Sequence, residues 1–384
     1  MYANTSDSSD RQALGPSVPE RRFAALRGCD RLLSGVRPQS LRERLAELTA
    51  DAEAGYDLDR RPDMYGDGVV LAVERRTAEL LGTEDAAYFP TGTMAQQAAL
   101  QVWAERAGNR TVAMHPLSHL ELHERRAYST LSGLRGVWPT TARRLPTPAE
   151  IRGSDERFAT VMLELPLRDA GFLLPSWAEL TETVAAVRER GAQLHVDGAR
   201  LWESAAHLGR TLPEIVALAD SVYVSYYKSL RGLSGAALVG DREFVRAAKA
   251  WRHRYGGQLF QQWPAALSAL AGLERELPRL GSYVSHAKLV AQALSEQLAT
   301  VPGARVIPEP PHTHQFQLWL PYPARALNEA GIQLAEEHGL GLFGGWDDGV
   351  LPGLSMTEVT IASAALEWTA KDVRTAVEAF LALL

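Results

Sequence analysis

At 384 residues, 46% apolar and 22% charged with a net charge of −6, the chain is of globular type and long enough for a large domain with a smaller companion. This balance excludes disordered, collagen-like and bilayer-spanning classes, and the mild acidity argues against non-specific nucleic-acid or membrane binding, so neither partner is expected. The single cysteine, Cys29, cannot form an internal disulfide or a CxxC pair, which fits a reducing compartment; with no apolar leader in MYANTSDSSDRQALGPSVPERR, a cytoplasmic location is expected.

Residues 1–25 are rich in Ser, Asp, Pro and Arg without periodicity and are expected to be a disordered tail. From Val69, the apolar residues Val70, Val73, Leu80 and Leu81 fall at helical spacing and stop at Gly82, predicting a helix that ends there. AAYFP predicts a short strand, TGTMAQQAALQVWAERAG a tight turn feeding an amphipathic helix, and RTVAMH a second strand. FATVMLELP, AQLHVDGA, SVYVSYYK and GAALVG predict further strands, with a helix over WAELTETVAAVRERG ending at Gly191. This alternation predicts α/β units on a mostly parallel sheet, with ligand groups at strand ends. Beyond Gln262 a long helical pattern leads into QFQLWLP, a helix around ARALNEAGIQLAEEHG, an extended VTIA and a final helix from Thr369, which suggests a smaller α+β domain. The expected division is therefore 26–262 for an N-terminal segment and large domain, and 263–384 for a connecting helix and small domain.

Lys228 differs from Lys249, Lys288 and Lys371, which sit in partly charged helical stretches. It follows the apolar run SVYVSYY and precedes SLRGLSG, so a strand would bring its amine to a sheet edge beside a glycine-rich turn. Partial desolvation and a nearby cation such as Arg231 would favour the neutral, nucleophilic amine; a purely structural lysine is the alternative. Asp197 and Arg200, in HVDGAR, follow the alternation of a strand. They are either a surface pair after a turn or an acid able to face a protonated pyridine nitrogen beside a guanidinium able to grip a carboxylate. Thr91, Gly92 and Thr93 form either a phosphate-binding helix start or a plain N-cap. In MHPLSHLELHE, His115, His119 and His123 recur every four residues, but Pro116 breaks a common helix, so no metal site is expected. Ser118 and Glu121 match a capping box, which places His119 in a first helical turn, either over a planar cofactor or as a partly exposed polar residue.

In this chain order, DMYGDG (63–68), YFPTGTMAQQ, SHLELHE, LHVDGARLWESA, SYYKSLRG with SGAALVG, and WRHRYGGQ resemble the threonine aldolase and β-eliminating lyase family of fold-type-I pyridoxal-phosphate enzymes. The resemblance runs from about Cys29 to the C-terminus, and Asp197 precedes Lys228 by 31 residues, close to the separation such enzymes show. It implies an α/β large domain with a mostly parallel seven-stranded sheet flanked by helices, and a smaller C-terminal α+β domain. It also implies pyridoxal 5'-phosphate held by Lys228 as a Schiff base, with Asp197 on the pyridine nitrogen and Thr91, Gly92 and Thr93 at the phosphate. His119 would stack on the ring and act in catalysis, and Arg200 would meet cofactor and substrate carboxylate. Ser34 and Tyr65 would contact substrate, Tyr65 from a neighbouring subunit of a homo-oligomer, dimer or tetramer.

The pattern departs from the family in places. RLLSGVRP keeps only Ser34, Arg37 and Pro38 of an RSDT-like opening. An ENTHN-like segment reads ELPLRDAG, so Glu164 remains while Leu165 and Leu167 replace asparagine and histidine. Phe260 stands where arginine is common, and the arginine implied just before the final helix is missing from TEVTIASAALEW. Arg200 then binds a carboxylate alone or with another group, and His119 or a water accepts the hydroxyl proton. The expected reaction is Cα–Cβ cleavage of a β-hydroxy-α-amino acid to glycine and an aldehyde. The alternatives are β-elimination, transaldol or racemase-type chemistry on the same cofactor, or a non-catalytic scaffold.

Overall fold

The computed structural model describes residues 17–349 and 352–384, which fall into two compact units. The larger unit holds residues 41–291 with 306–317; the smaller holds the described residues of 17–40, 292–305 and 318–384.

Seven strands form the sheet of the larger unit: β1 (Asp85–Phe89), β2 (Thr111–Ala113), β3 (Arg135–Val137), β4 (Thr160–Glu164), β5 (Gln193–Gly198), β6 (Ser221–Ser225) and β7 (Ala236–Gly240). Their order is β1-β7-β6-β5-β4-β2-β3, and only β7 runs antiparallel to its neighbours. Every residue of β2, β4 and β6 is buried, as a sheet covered on both faces requires, which is why these strands read as continuous apolar runs in the sequence. The edge strand β3 spans three residues, too few to show a pattern. The helix Val69–Leu81 ends as expected at Gly82, whose φ of +66° lets its N–H reach back to the carbonyls of Ala78 and Glu79.

Strands β4, β5 and β6 run parallel and in register, so Glu164 pairs with Asp197 and Asp197 with Tyr223 near their carboxyl ends. Phe89 at the end of β1 and Ser225 at the end of β6 both flank Ala236 of β7. The turn at Thr91 and the loop carrying Lys228 therefore leave the sheet at the same edge as the two acids.

In the smaller unit the chain opens with a helix, Val18–Gly28, rather than continuing the tail expected through residue 25; residues 1–16 lie outside the described residues. Glu20 accepts hydrogen bonds from the N–H and hydroxyl of Ser17, and Pro19 pre-sets the first turn, so local capping overrides the polar composition. The expected division at 262 differs from these units: residues 26–40, expected as an N-terminal segment with the large domain, belong to the smaller unit, and 263–291 with 306–317, expected with the small domain, belong to the larger one. Arg31 and Leu32 pair in parallel with Leu340 and Gly341, and Cys29 packs with Ala25, Leu32, Ile332 and Ala335. Strand Ser355–Thr360 pairs antiparallel with Asp347–Asp348 in a small four-stranded sheet, and the final helix spans Ala370–Leu381. Among the described residues no helix is long and apolar enough to cross a membrane.

Candidate active site

Of the two readings left open by the sequence, the Thr91 turn shows the N-cap. Thr91 is the N-cap of the helix Gly92–Ala107, its hydroxyl accepting the Met94 N–H at 3.3 Å. The N–H groups of Gly92 and Thr93 fall in the first turn of this 16-residue helix, where they lack intrahelical acceptors and can meet an anion. Gly92 is required for a further reason: a Cβ there would lie 2.2 Å from the Tyr223 hydroxyl oxygen. At the end of β6, the Ser225 hydroxyl is buried with no hydrogen-bond partner, a donor that sequence inspection did not single out.

The two strand-end acids differ in their partners. Glu164 accepts the His119 N–H at 2.7 Å and the Arg168 N–H at 3.2 Å, yet burial and then the charge of Asp197 push its carboxyl up to about 8. Among the described residues the Asp197 carboxyl accepts the Ala199 N–H, at 3.1 Å; burial raises its pKa, opposed chiefly by the charge of Lys228. It is a buried acid able to take a cationic N–H partner.

Lys228 stands three residues beyond β6, in a loop rather than at the strand end predicted. Burial first, then the charge of Arg200, lowers its amine to about 8, while Asp197 and Glu164 act in the opposite sense. Arg231 is not the neighbouring cation expected, because Glu47 and Glu276 hold its guanidinium at 3.6 and 3.5 Å.

His119 occupies the first turn of the short helix His119–Leu122, with Ser118 as N-cap, but the expected capping box does not form. Glu121 instead accepts the Tyr128 hydroxyl at 2.6 Å and pairs with Arg126 at 3.4 Å. The Nδ1 of His119 lies 3.2 Å from Oε1 of the buried Glu124, whose other oxygen accepts the Gln97 amide at 3.3 Å. His115 is structural: its ring bonds the Ala142 carbonyl and the Leu117 N–H, and burial lowers its pKa. His123 bonds Asp169 at 2.9 Å. Among the described residues no group of three or more His, Cys, Asp or Glu is placed to hold a metal ion.

The Arg200 guanidinium donates through Nε to Gln315 at 2.6 Å and lies 5.3 Å from the Phe172 ring. Tyr65 is 56% exposed and packs edge-on against Phe260, the residue found where an arginine was expected. Ser34 belongs to the smaller unit, where its hydroxyl accepts the Thr360 N–H at 3.0 Å. The sequence also gave no sign of Glu203 and His314. The Glu203 carboxyl accepts the Ser229 hydroxyl at 2.7 Å, lies 3.6 Å from the His314 ring, and is pushed up to about 7 by burial.

This donor set fits pyridoxal phosphate: a helix start and a buried unpartnered hydroxyl for a phosphate, a buried acid for a ring N–H, and a desolvated amine for an aldehyde.

Residues 40–318 match the model of the β-eliminating lyase family. A low-specificity L-threonine aldolase of Arabidopsis thaliana is 29% identical over 327 residues, 81% of this chain and 89% of that protein. The low-specificity L-threonine aldolase of Escherichia coli K12 is 32% identical over 246 residues, 62% of this chain and 73% of that protein. A Listeria monocytogenes structure, provisionally assigned as an L-allo-threonine aldolase, gives a TM-score of 0.85 at 33% identity and covers 96% of this chain and 100% of its own. An Exiguobacterium structure, provisionally assigned as an aromatic amino acid β-eliminating lyase/threonine aldolase, gives 0.85 at 34%, covering 95% and 100%. The chain thus belongs to the β-eliminating lyase family of fold-type-I, pyridoxal-phosphate-dependent lyases.

Proposed function

We propose that this protein cleaves the Cα–Cβ bond of a β-hydroxy-α-amino acid, releasing glycine and an aldehyde. The observation that carries the reading is a desolvated amine, Lys228, within electrostatic range of a buried acid, Asp197, whose register partner Glu164 accepts the His119 N–H. The names borne by the Arabidopsis and Escherichia relatives agree with it.

In this reading Lys228 holds the cofactor through its amine, Asp197 faces the ring nitrogen, and Thr91, Gly92, Thr93 and Ser225 surround the phosphate. When bound, pyridoxal phosphate supplies an electron sink for the pair left on Cα. Arg200 grips the substrate carboxylate, kept in place by Gln315 and the Phe172 ring. His119 accepts the β-hydroxyl proton at its imidazole, and Glu124 orients that ring through Nδ1. Leu167, fully buried where the family has a histidine, offers no imidazole for this step, which leaves His119 or a water to take the proton. We further place the protein in the cytoplasm as a homo-oligomer, dimer or tetramer, in which the exposed Tyr65 reaches a neighbouring site and Ser34 contacts substrate.

Purified holoenzyme incubated with threonine, allo-threonine and phenylserine tests the activity. Aldehyde is expected from at least one of them, with borohydride fixing the cofactor on the peptide that contains Lys228. Cofactor absorbance with no aldehyde from any of the three would overturn aldol cleavage in favour of β-elimination, transaldol or racemase-type chemistry. Failure of borohydride to label Lys228 would overturn the assignment of that residue.

A further inference from the structure

Resting on the reading in which Arg200 meets the substrate carboxylate, we propose that Arg168 is the second guanidinium of that carboxylate site. It would replace the small-domain arginine that residues 357–368 lack.

The geometry that joins the two arginines is one short loop and one strand face. The loop leaves β4 and closes on itself, with Leu167 and Leu173 exchanging backbone hydrogen bonds of 2.9 and 3.2 Å. Inside it the Arg168 N–H is tied to Glu164, and the Arg168 carbonyl accepts the N–H groups of Gly171 at 2.9 Å and Phe172 at 3.1 Å. Phe172, bound to Arg168 in this way, is the residue whose ring lies against the Arg200 guanidinium. Its φ of +59° is a strained conformation for a large side chain, and it is fully buried, so the loop is held in this shape by its surroundings.

The strand Gln315–Leu320 fixes the same pair from another side. Gln315 accepts Nε of Arg200, and the Gln317 amide donates to the Arg168 carbonyl at 3.4 Å. Two residues apart on a strand, these glutamines share a face, so one surface orients the side chain of one arginine and the backbone of the other.

The sequence change in this segment has the same direction. Where an asparagine and a histidine were expected, Leu165 and Leu167 are buried, and the loop offers a guanidinium in place of neutral hydrogen-bonding groups. The charges of Arg168 and Arg200 both lower the Lys228 amine, so both guanidiniums lie within electrostatic reach of the atom where the substrate amine arrives. A carboxylate bonded to Cα next to that amine would meet both.

The test is amino-acid binding to cofactor-loaded protein, read from cofactor absorbance, with glycine compared against glycinamide, which keeps the amine and lacks the carboxylate. Arg168→Leu is expected to weaken glycine by about ten- to hundredfold, as loss of a charge-assisted contact does, and to leave glycinamide within about twofold. Arg168→Lys, which keeps the charge but not the fork, should weaken glycine by a smaller factor with the same selectivity, and it carries the test if the leucine variant fails to fold. Equal weakening of both ligands, or glycine binding unchanged in both variants, would overturn the proposal. Binding of glycine needs no aldol cleavage, so a failed aldehyde assay would sink the proposed reaction and leave this result readable.

Discussion

Glu164 and Asp197 are register partners near the ends of two adjacent parallel strands, so their buried side chains leave the same face of the sheet from backbones one strand spacing apart, about 4.8 Å. Two like charges so placed cannot both be carried cheaply, and burial adds to the cost. Glu164 answers by holding its proton up to about pH 8 against an ordinary value of 4.5.

That shift makes a stability prediction for the cofactor-free protein. Between pH 4.5 and about 8 the folded state retains a proton that the unfolded chain has released, so the contribution of Glu164 is present at low pH and lost as pH rises through this window. Glu164→Gln removes the titration. Thermal melts from pH 5 to 8.5 should show a shallower loss of Tm in the variant than in the parent. Identical slopes would mean that Glu164 is ionised across the range.

The amine of Lys228 offers a second titration. With its pKa lowered to about 8, it should react with an amine-directed reagent at a pH where ordinary lysines are protected by their protons. Peptide mapping of the cofactor-free protein across pH 6 to 10 should give a midpoint near 8 for this residue. Because Arg200 lowers the amine and Asp197 raises it, Arg200→Gln should move the midpoint upward and Asp197→Asn downward. Shifts in the reverse directions would show that these charges do not act on the amine as described.

Much of this site was legible in the sequence because its parts are local. The strands announce themselves as apolar runs, the Thr91–Thr93 turn as hydroxyls and a glycine before a helix, and Asp197 as an acid closing an apolar alternation. What stayed hidden depends on residues far apart in the chain. No local pattern says that Arg31 pairs with Leu340, that Glu203 meets His314, or that Gln315 and Gln317 bind two arginines more than a hundred residues upstream. The capping box at Ser118 failed for a different, local reason: the motif is present, but the Glu121 carboxylate is engaged by Tyr128 and Arg126 a few residues on. Arg231 misled in a related way, as a cation close in sequence to Lys228 whose charge is taken up by Glu47 and Glu276.

His119 and Glu124 form a pair whose roles can be separated kinetically. If the imidazole accepts the hydroxyl proton, His119→Ala should lower kcat for aldehyde release by about 10²–10⁴-fold. Glu124 acts through the ring, so Glu124→Gln should lower kcat by a smaller factor and leave KM unchanged. The double variant should be little worse than His119→Ala alone, since the orienting group has nothing left to orient. Multiplying losses in the double variant would assign Glu124 a separate function.

Gly92 tests the phosphate end of the site by steric means. Its φ is not in the left-handed region, so alanine carries no backbone penalty there; the obstacle is the Tyr223 hydroxyl oxygen, 2.2 Å from the new methyl, with the ring carbon Cζ at 2.9 Å. Tyr223 is itself buried and fixed within β6, so it cannot swing aside, and the helix start must move. Gly92→Ala should therefore cost about 1–3 kcal/mol in stability and release cofactor more readily on dialysis. Adding Tyr223→Phe removes the nearest atom but leaves the ring, so the double variant should recover part of the stability and of the retained cofactor. If the alanine variant keeps parental Tm and full cofactor occupancy, the tight contact between this turn and β6 does not govern the anion site.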